Sequence, residues 1–278
     1  MKEANKNLLV RILSAAILAP LFVLVLIWER PAPFIVLINC GVLVALAEFY
    51  WITLRDDPRW MRVAGVALGV LVSLTMAWCP HPDALVVALI GASLAAAILH
   101  LVRFGELQTA AARSGLMVFG FVYIALLITP LGLFKRLPDG EDWIFLTCTV
   151  VWFADTGAYA VGRMLGKRKL YRAISPGKSV EGAIGGLAFS FGAAVLAKLW
   201  YMPQLTWLDA VLISLPASAL GQTGDLVESM IKRGYQVKDS GWIIPGHGGL
   251  LDRVDALLFA TPYIYFYARL LFPLGGSG

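Results

Sequence analysis

The chain has 278 residues, of which 59% are hydrophobic and only 15% charged, against about 25% charged in an ordinary soluble domain. Long apolar runs recur over its whole length, which excludes a soluble enzyme with one anchor and points to an all-α, polytopic integral membrane protein. The net charge of +5 does not argue for nucleic acid as a partner, because most of the Lys and Arg fall in a pattern that reports membrane topology.

A membrane-spanning helix needs about 20 mostly apolar residues. Nine runs qualify: 8–28, 33–53, 61–79, 83–102, 114–134, 143–165, 181–201, 207–231 and 251–272. A cleaved signal peptide is not expected, since the first run lacks a small-x-small site and another span follows at once. With a cytoplasmic N-terminus and nine alternating spans, 18 of the 23 basic residues lie inside. Arg30, Lys135, Arg136, Lys198 and Arg269 remain outside. A miscounted span would scramble this asymmetry. Cys40, Cys79 and Cys148 sit in or beside apolar runs and read as small hydrophobes. His81, His100 and His247 are too far apart to suggest a zinc set.

The composition shifts near residue 142. Residues 1–141 read as a scaffold of transmembrane helices, within which Glu48 is a polar exception without an assigned role. Residues 142–272 read as the catalytic helices and cytoplasmic loops of the same membrane domain, and 273–278, ending in GGSG, as a flexible tail.

Three polar constellations stand in the second half. In FADTGAYAVGRMLGK, Asp155 lies deep in the sixth run, where a carboxylate is costly unless it faces protein, water or a cation. Ala154, Ala158, Gly162 and Gly166 form a small-residue stripe on which another helix can pack. The next loop, KRKLYRAISPGKSVEG, contains GKS, but a phosphate-binding P-loop would need Gly where Arg172 stands. What remains is a basic loop with Lys167, ending in Ser175, Lys178 and Ser179 before a helix start, a plausible place for a phosphate. In GQTGDLVESMIKR, Asp225, Glu228, Ser229 and Lys232 share one helical face; a Glu228–Lys232 ion pair would account for two of them but not for Asp225. Asp252 and Asp255 share a face at the start of the last run. Carboxylates from two helices suit Mg²⁺, which binds through one or two carboxylates plus substrate phosphates. Gly246, Gly248 and Gly249 let backbone N–H groups approach an anion, among the cations Lys232, Arg233, Lys238 and Arg253.

The pattern S-x-x-K-R-x₄-K-D-x-G-x₂-I-P-G-H-G-G-x₂-D-R-x-D, from Ser229 to Asp255, resembles the signature of bacterial phosphatidate cytidylyltransferases (CDP-diacylglycerol synthases). ADTGAYAVGRMLGKRKL and SPGKSVEGAIGG look like that family's upstream motifs, with Ser179 where many members carry Thr. The likeness covers residues 142–272; before that, only a succession of spans matches. It implies the Mg²⁺-dependent reaction CTP + phosphatidate → CDP-diacylglycerol + pyrophosphate, with a second cation left open. On that resemblance Asp225, Asp252 and Asp255 are expected as metal ligands, their roles interchangeable. Lys232, Arg233, Lys238, Arg253 and the His247–Gly249 turn would hold the nucleotide's phosphates. Lys167, Ser175, Lys178 and Ser179 would meet a second phosphate, and Asp155 would complete the cavity.

Expected partners are CTP, phosphatidate and membrane lipid, with a homodimer open. The expected location is the cell inner membrane, with the site facing the cytoplasm. A transporter also carries intramembrane acids, but its acids lie near the midplane and its halves often repeat; here they gather toward one face without a repeat. A polyprenol kinase or ether-lipid cytidylyltransferase would share the nucleotide and differ in acceptor, and a degenerate assembly protein would not keep the full set of acids and bases.

Overall fold

The computed structural model describes residues 20–79, 81–103, 107–241 and 248–272. Among these, seven helices are long and apolar enough to cross a membrane. They are α1 Pro31–Thr53, α2 Arg59–Trp78, α3 Pro82–Val102, α4 Leu107–Arg136, α5 Gly140–Leu165, α6 Val180–Trp200 and α7 Trp207–Gly234. A further helix, α8, runs Leu251–Phe266 and continues through a wide turn at Tyr267–Leu271. The first expected run lies mostly outside the described residues; its last part is helical over 20–26. The polytopic all-α reading therefore holds. The fifth run is longer than expected, because LQTAAARSG is polar yet helix-forming and joins the apolar part in one rod. Within it, Phe121–Leu126 widens by one residue per turn, and Pro130, which cannot donate to Leu126, follows directly.

The chain divides into two compact units, residues 1–132 with 237–253, and 133–236 with 254–278. This differs from the sequence-based division: the boundary lies near 133 instead of 142, and most of the segment between the last two spans returns to the first unit.

In the first unit, Tyr50 of α1 is fully buried and donates to the Met117 carbonyl at 2.6 Å. It has room because α2 and α4 present glycines there: a Cβ on Gly120 would stand 2.5 Å from the Tyr50 ring, and one on Gly65 3.0 Å away. Ser73 bonds Asn39 at 2.9 Å and Thr129 at 2.7 Å, so three helices share one buried polar knot. Asp57, after α1, pairs with Arg103 at 2.6 Å and Arg113 at 3.3 Å. Those pairs put the α1–α2 and α3–α4 connections at the same end of the unit, as the charge pattern requires. Along α3, Val86, Val87, Ile90, Leu94, Ile98 and Leu101 are all more than half exposed. An apolar stripe of that kind is what hydrocarbon, not water, accepts.

In the second unit, α5 and α6 meet backbone to backbone. A Cβ on Gly157 would lie 2.5 Å from Phe189, and one on Gly185 2.5 Å from Val161. The expected small-residue stripe does take a helix. Gly182 faces the Ala158 carbonyl and Gly162, Gly186 faces the Ala154 carbonyl, and Gly166 abuts Ser179. α7 begins with a capping box in which Thr206 and Asp209 satisfy each other's backbone N–H groups. It then packs on α8 through Gly221 and Gly224, which face Ala256 and Asp255.

Between α5 and α6 the basic loop is a small antiparallel hairpin, β1 Lys169–Tyr171 with β2 Ser175–Ser179. It escaped sequence analysis because SPGKS carries Pro and Gly, poor strand formers tolerated where both strands are edges. At the opposite end of α6, Lys198 donates to the Leu205 carbonyl and lies 5.3 Å over the Trp207 ring. Lys198→Ala is expected to leave the activity of the purified protein within twofold of the parent while costing about 1 kcal/mol in stability. Parallel activity and thermal-melt measurements in detergent check both.

Candidate active site

Five elements of the second unit, α5, β1, β2, α6 and α7, line one cavity of about 400 Å³. α5 contributes Asp155, β2 contributes Lys178 and α7 contributes Asp225. Each is placed by its local sequence. Asp155 adjoins Ala154 on the face that the small-residue stripe presses to α6, so its side chain emerges at the seam of the two helices. Lys178 is one residue before the α6 N-cap, Ser179, whose Oγ accepts from Gly182 N at 3.1 Å. Ser179 is thus a cap first, and a lining residue second. Asp225 follows Gly224, whose missing side chain lets α7 lie against the Asp255 carbonyl.

Lys178 Nζ meets Asp225 Oδ2 at 2.6 Å, and Ser229 Oγ lies 3.4 Å from Asp225 Oδ1. Both partners of the ion pair are about a third exposed to the cavity. Asp155, Asp225 and Asp255 lie near enough for their charges to act on one another. The Asp255 carboxylate accepts from its own helix at Ala256 N, 2.7 Å. Glu228 is buried against Lys232, the i, i+4 pair that the spacing allows.

The start of α8 belongs to the first unit through Arg253. There the Asp252 carboxylate takes Ser240 N at 2.9 Å and Gly249 N at 3.0 Å. Leu250 N and Leu251 N donate to Glu48 at 3.0 and 2.8 Å. The backbone donors expected for a nucleotide phosphate at Gly249 are therefore engaged by protein carboxylates. Gly248 has φ +84°, the left-handed backbone that favours glycine, and a Cβ there would stand 3.0 Å from Asp252. Lys238 and Arg253 are exposed, as is Arg233 in the second unit. His247 lies outside the described residues.

Among the described residues, no three Asp, Glu, His or Cys side chains converge as a metal cage. A cation at Asp252 would share its carboxylate with the Ser240 and Gly249 N–H groups. Asp155 and Asp225, two carboxylates on one cavity, do suit Mg²⁺ arriving with a nucleotide, since that ion keeps waters and needs few protein ligands.

A family model described as "Cytidylyltransferase family" matches residues 9–271. The chain belongs to the cytidylyltransferase family. It is 50% identical to the phosphatidate cytidylyltransferase of Bacillus subtilis over 131 residues, 47% of this chain and 49% of that one. It is 43% identical to the Staphylococcus saprophyticus protein of the same name over 132 residues, 48% of this chain and 51% of the other. The chain spans about half the length of the curated relatives it matches.

In this cytidylyltransferase-family site, the structure joins Asp155, Lys178, Ser179 and Asp225 on one cavity, while Lys167 and Ser175 are not among its lining residues. Lys167 instead uses its backbone N–H on Glu181, and Ser175 opposes Tyr171 in the hairpin. Sequence reasoning missed Gln222, Tyr159 and Arg163, which also line the cavity. Gln222 stands three residues before Asp225, so the helical spacing that grouped Asp225 with Glu228 could have included it. Its amide donates to the Ala183 carbonyl at 3.2 Å, tying α7 to α6 beside the cavity.

Proposed function

We propose that this chain catalyses CTP + phosphatidate → CDP-diacylglycerol + pyrophosphate, at the cytoplasmic face of the inner membrane. The observation that carries this reading is the cavity of the second unit, which gathers Asp155, Asp225 and Lys178. Phosphatidate brings its own nucleophile. One of its phosphate oxygens attacks the α-phosphorus of CTP, a P–O bond forms there, and the bond to the bridging α–β oxygen breaks. Pyrophosphate leaves with that electron pair. No protein nucleophile is required, so the protein's part is orientation and electrostatic stabilisation.

Lys178 balances Asp225 before substrate arrives and is the cation best placed to meet a phosphate in the cavity. Arg163, held by Tyr159 at 2.9 Å, adds a second cation on the same wall. Mg²⁺, when bound with the triphosphate, supplies positive charge at the reacting phosphates; Asp155 and Asp225 would hold it. Asp255, near enough for their charges to act on it, belongs to the same acidic group in this reading. The basic, hydroxyl-bearing hairpin favours an anionic lipid headgroup.

Purified protein in detergent, given CTP, phosphatidate and Mg²⁺, is expected to release pyrophosphate only when the lipid is present, and to stop on chelation. Release independent of phosphatidate would overturn the assignment of acceptor. Lys178→Ala is expected to lower kcat/KM about 10- to 100-fold, the scale of losing one charge-assisted contact to a reacting phosphate. The same pyrophosphate assay measures it.

A further inference from the structure

Arg163 stands in the last turn of α5, where a cation complements the helix end. That preference explains an arginine there but not the face it occupies, which is a wall of the cavity. The cavity's other lining cation, Lys178, is committed to Asp225. Arg163 is not. Its Nη1 donates to Tyr159 Oη at 2.9 Å, a neutral hydroxyl, and among the described residues no carboxylate pairs with it. Tyr159 Oη accepts that bond and keeps its own proton to donate. Because helical side chains lean toward the N-terminus, the pair carries the guanidinium back along α5, toward the level of Asp155. One unspent positive charge and a hydroxyl thus share the cavity with the two carboxylates that suit a cation.

On the N-terminal side of this pair, α5 presents open apolar surface. Trp152, Thr156, Tyr159 and Arg163 recur at i, i+4, i+7 and i+11, the spacing of one helical stripe, and all four are exposed. Trp152 is 51% exposed and Tyr159 67%, in a helix long and apolar enough to span a membrane. Between them Thr156 spends its hydroxyl proton on the Trp152 carbonyl at 2.8 Å. At 1.5 Å per residue, Arg163 lies about 16 Å along the axis from Trp152, close to half of a hydrocarbon core about 30 Å thick. A cation with exposed aromatic surface running one leaflet's depth away from it matches an anionic head that carries hydrocarbon chains. A free nucleotide would use the charge and leave the stripe bare.

We infer that Arg163 and Tyr159 seat the phosphate of phosphatidate, with an acyl chain laid along the stripe from Tyr159 to Trp152, so that this face of α5 selects the lipid substrate. This rests on the reaction proposed above. With Nη1 held by Tyr159, the guanidinium keeps N–H groups for two phosphate oxygens. Steady-state kinetics on the purified protein in mixed micelles, varying phosphatidate and CTP separately, test it. Arg163→Gln should raise KM for phosphatidate about tenfold and leave KM for CTP within about twofold, with Arg163→Lys between that variant and the parent. Tyr159→Phe should raise KM for phosphatidate about threefold. Trp152→Ala should raise KM for dioleoyl phosphatidate about threefold and leave that for a dihexanoyl form unchanged. A KM raised for CTP instead, or unchanged for both substrates, would overturn the inference. Equal effects of Trp152→Ala on the two chain lengths would overturn the stripe's part in it. Where Arg163→Gln does not fold, Tyr159→Phe decides on the same criterion. Failure of the parent protein to release pyrophosphate from CTP would instead sink the proposed reaction, a result distinguishable from all of these.

Discussion

Asp225→Asn is expected to lower kcat about 100- to 1,000-fold, the scale seen when a group that stabilises transition-state charge is removed. The substitution is nearly isosteric. Asn keeps one oxygen to accept from Lys178 and can turn its N–H to the Ser229 hydroxyl, so α7 keeps its neighbours and the protein should elute and melt as the parent does. What disappears is the negative charge, which balances Lys178 at 2.6 Å and, in the proposed reaction, holds the cation that travels with the triphosphate. Unlike Glu228, which is buried against Lys232 on its own helix, Asp225 is answered by a residue of another element and faces the cavity. Pyrophosphate release, measured with melting temperature on the same sample, separates the two effects. Near-normal turnover would remove Asp225 from the chemistry.

Gly157→Val should have the largest effect on stability, about 3 kcal/mol. The added Cβ would stand 2.5 Å from the Cβ and Cγ of Phe189 and 2.8 Å from the Gly185 carbonyl. These atoms belong to, or adjoin, the α6 backbone and cannot swing aside, so the helices must separate. The cavity lies along the same seam, lined by Gly162 and Gly182 farther toward the hairpin, and activity should fall with stability. Gly192, on the same helix as Gly185 but with nothing within 4 Å of an added Cβ, supplies the contrast: Gly192→Ala should melt as the parent does. An unchanged melting temperature for Gly157→Val would mean that α5 and α6 are not packed this closely.

Much of this was legible in the sequence, for identifiable reasons. Apolar runs of membrane length became helices because hydrocarbon leaves backbone groups no other partner. Ala154, Ala158 and Gly162 announced a close helix contact because small residues four apart permit one. Asp155 and Asp225 stood out because an acid in an apolar span needs a reason. The rest depended on partners distant in sequence. Glu48 had no visible role because its donors are 192 to 203 residues away. Gly249 read as an anion-binding turn, since nothing local says that Asp252 and Glu48 already occupy the N–H groups there. The hairpin was hidden by Pro176 and Gly177, whose local preferences favour a turn.

The separation between Glu48 and its donors also has a meaning in time. At about 5–20 residues per second, a ribosome needs on the order of ten to forty seconds to make the 200 residues that follow. Throughout that interval α1 has left the tunnel with an acid that nothing yet answers. The burial of Glu48 cannot be completed until Ser240, Leu250 and Leu251 have been synthesised, so α8, made some 200 residues later, completes α1.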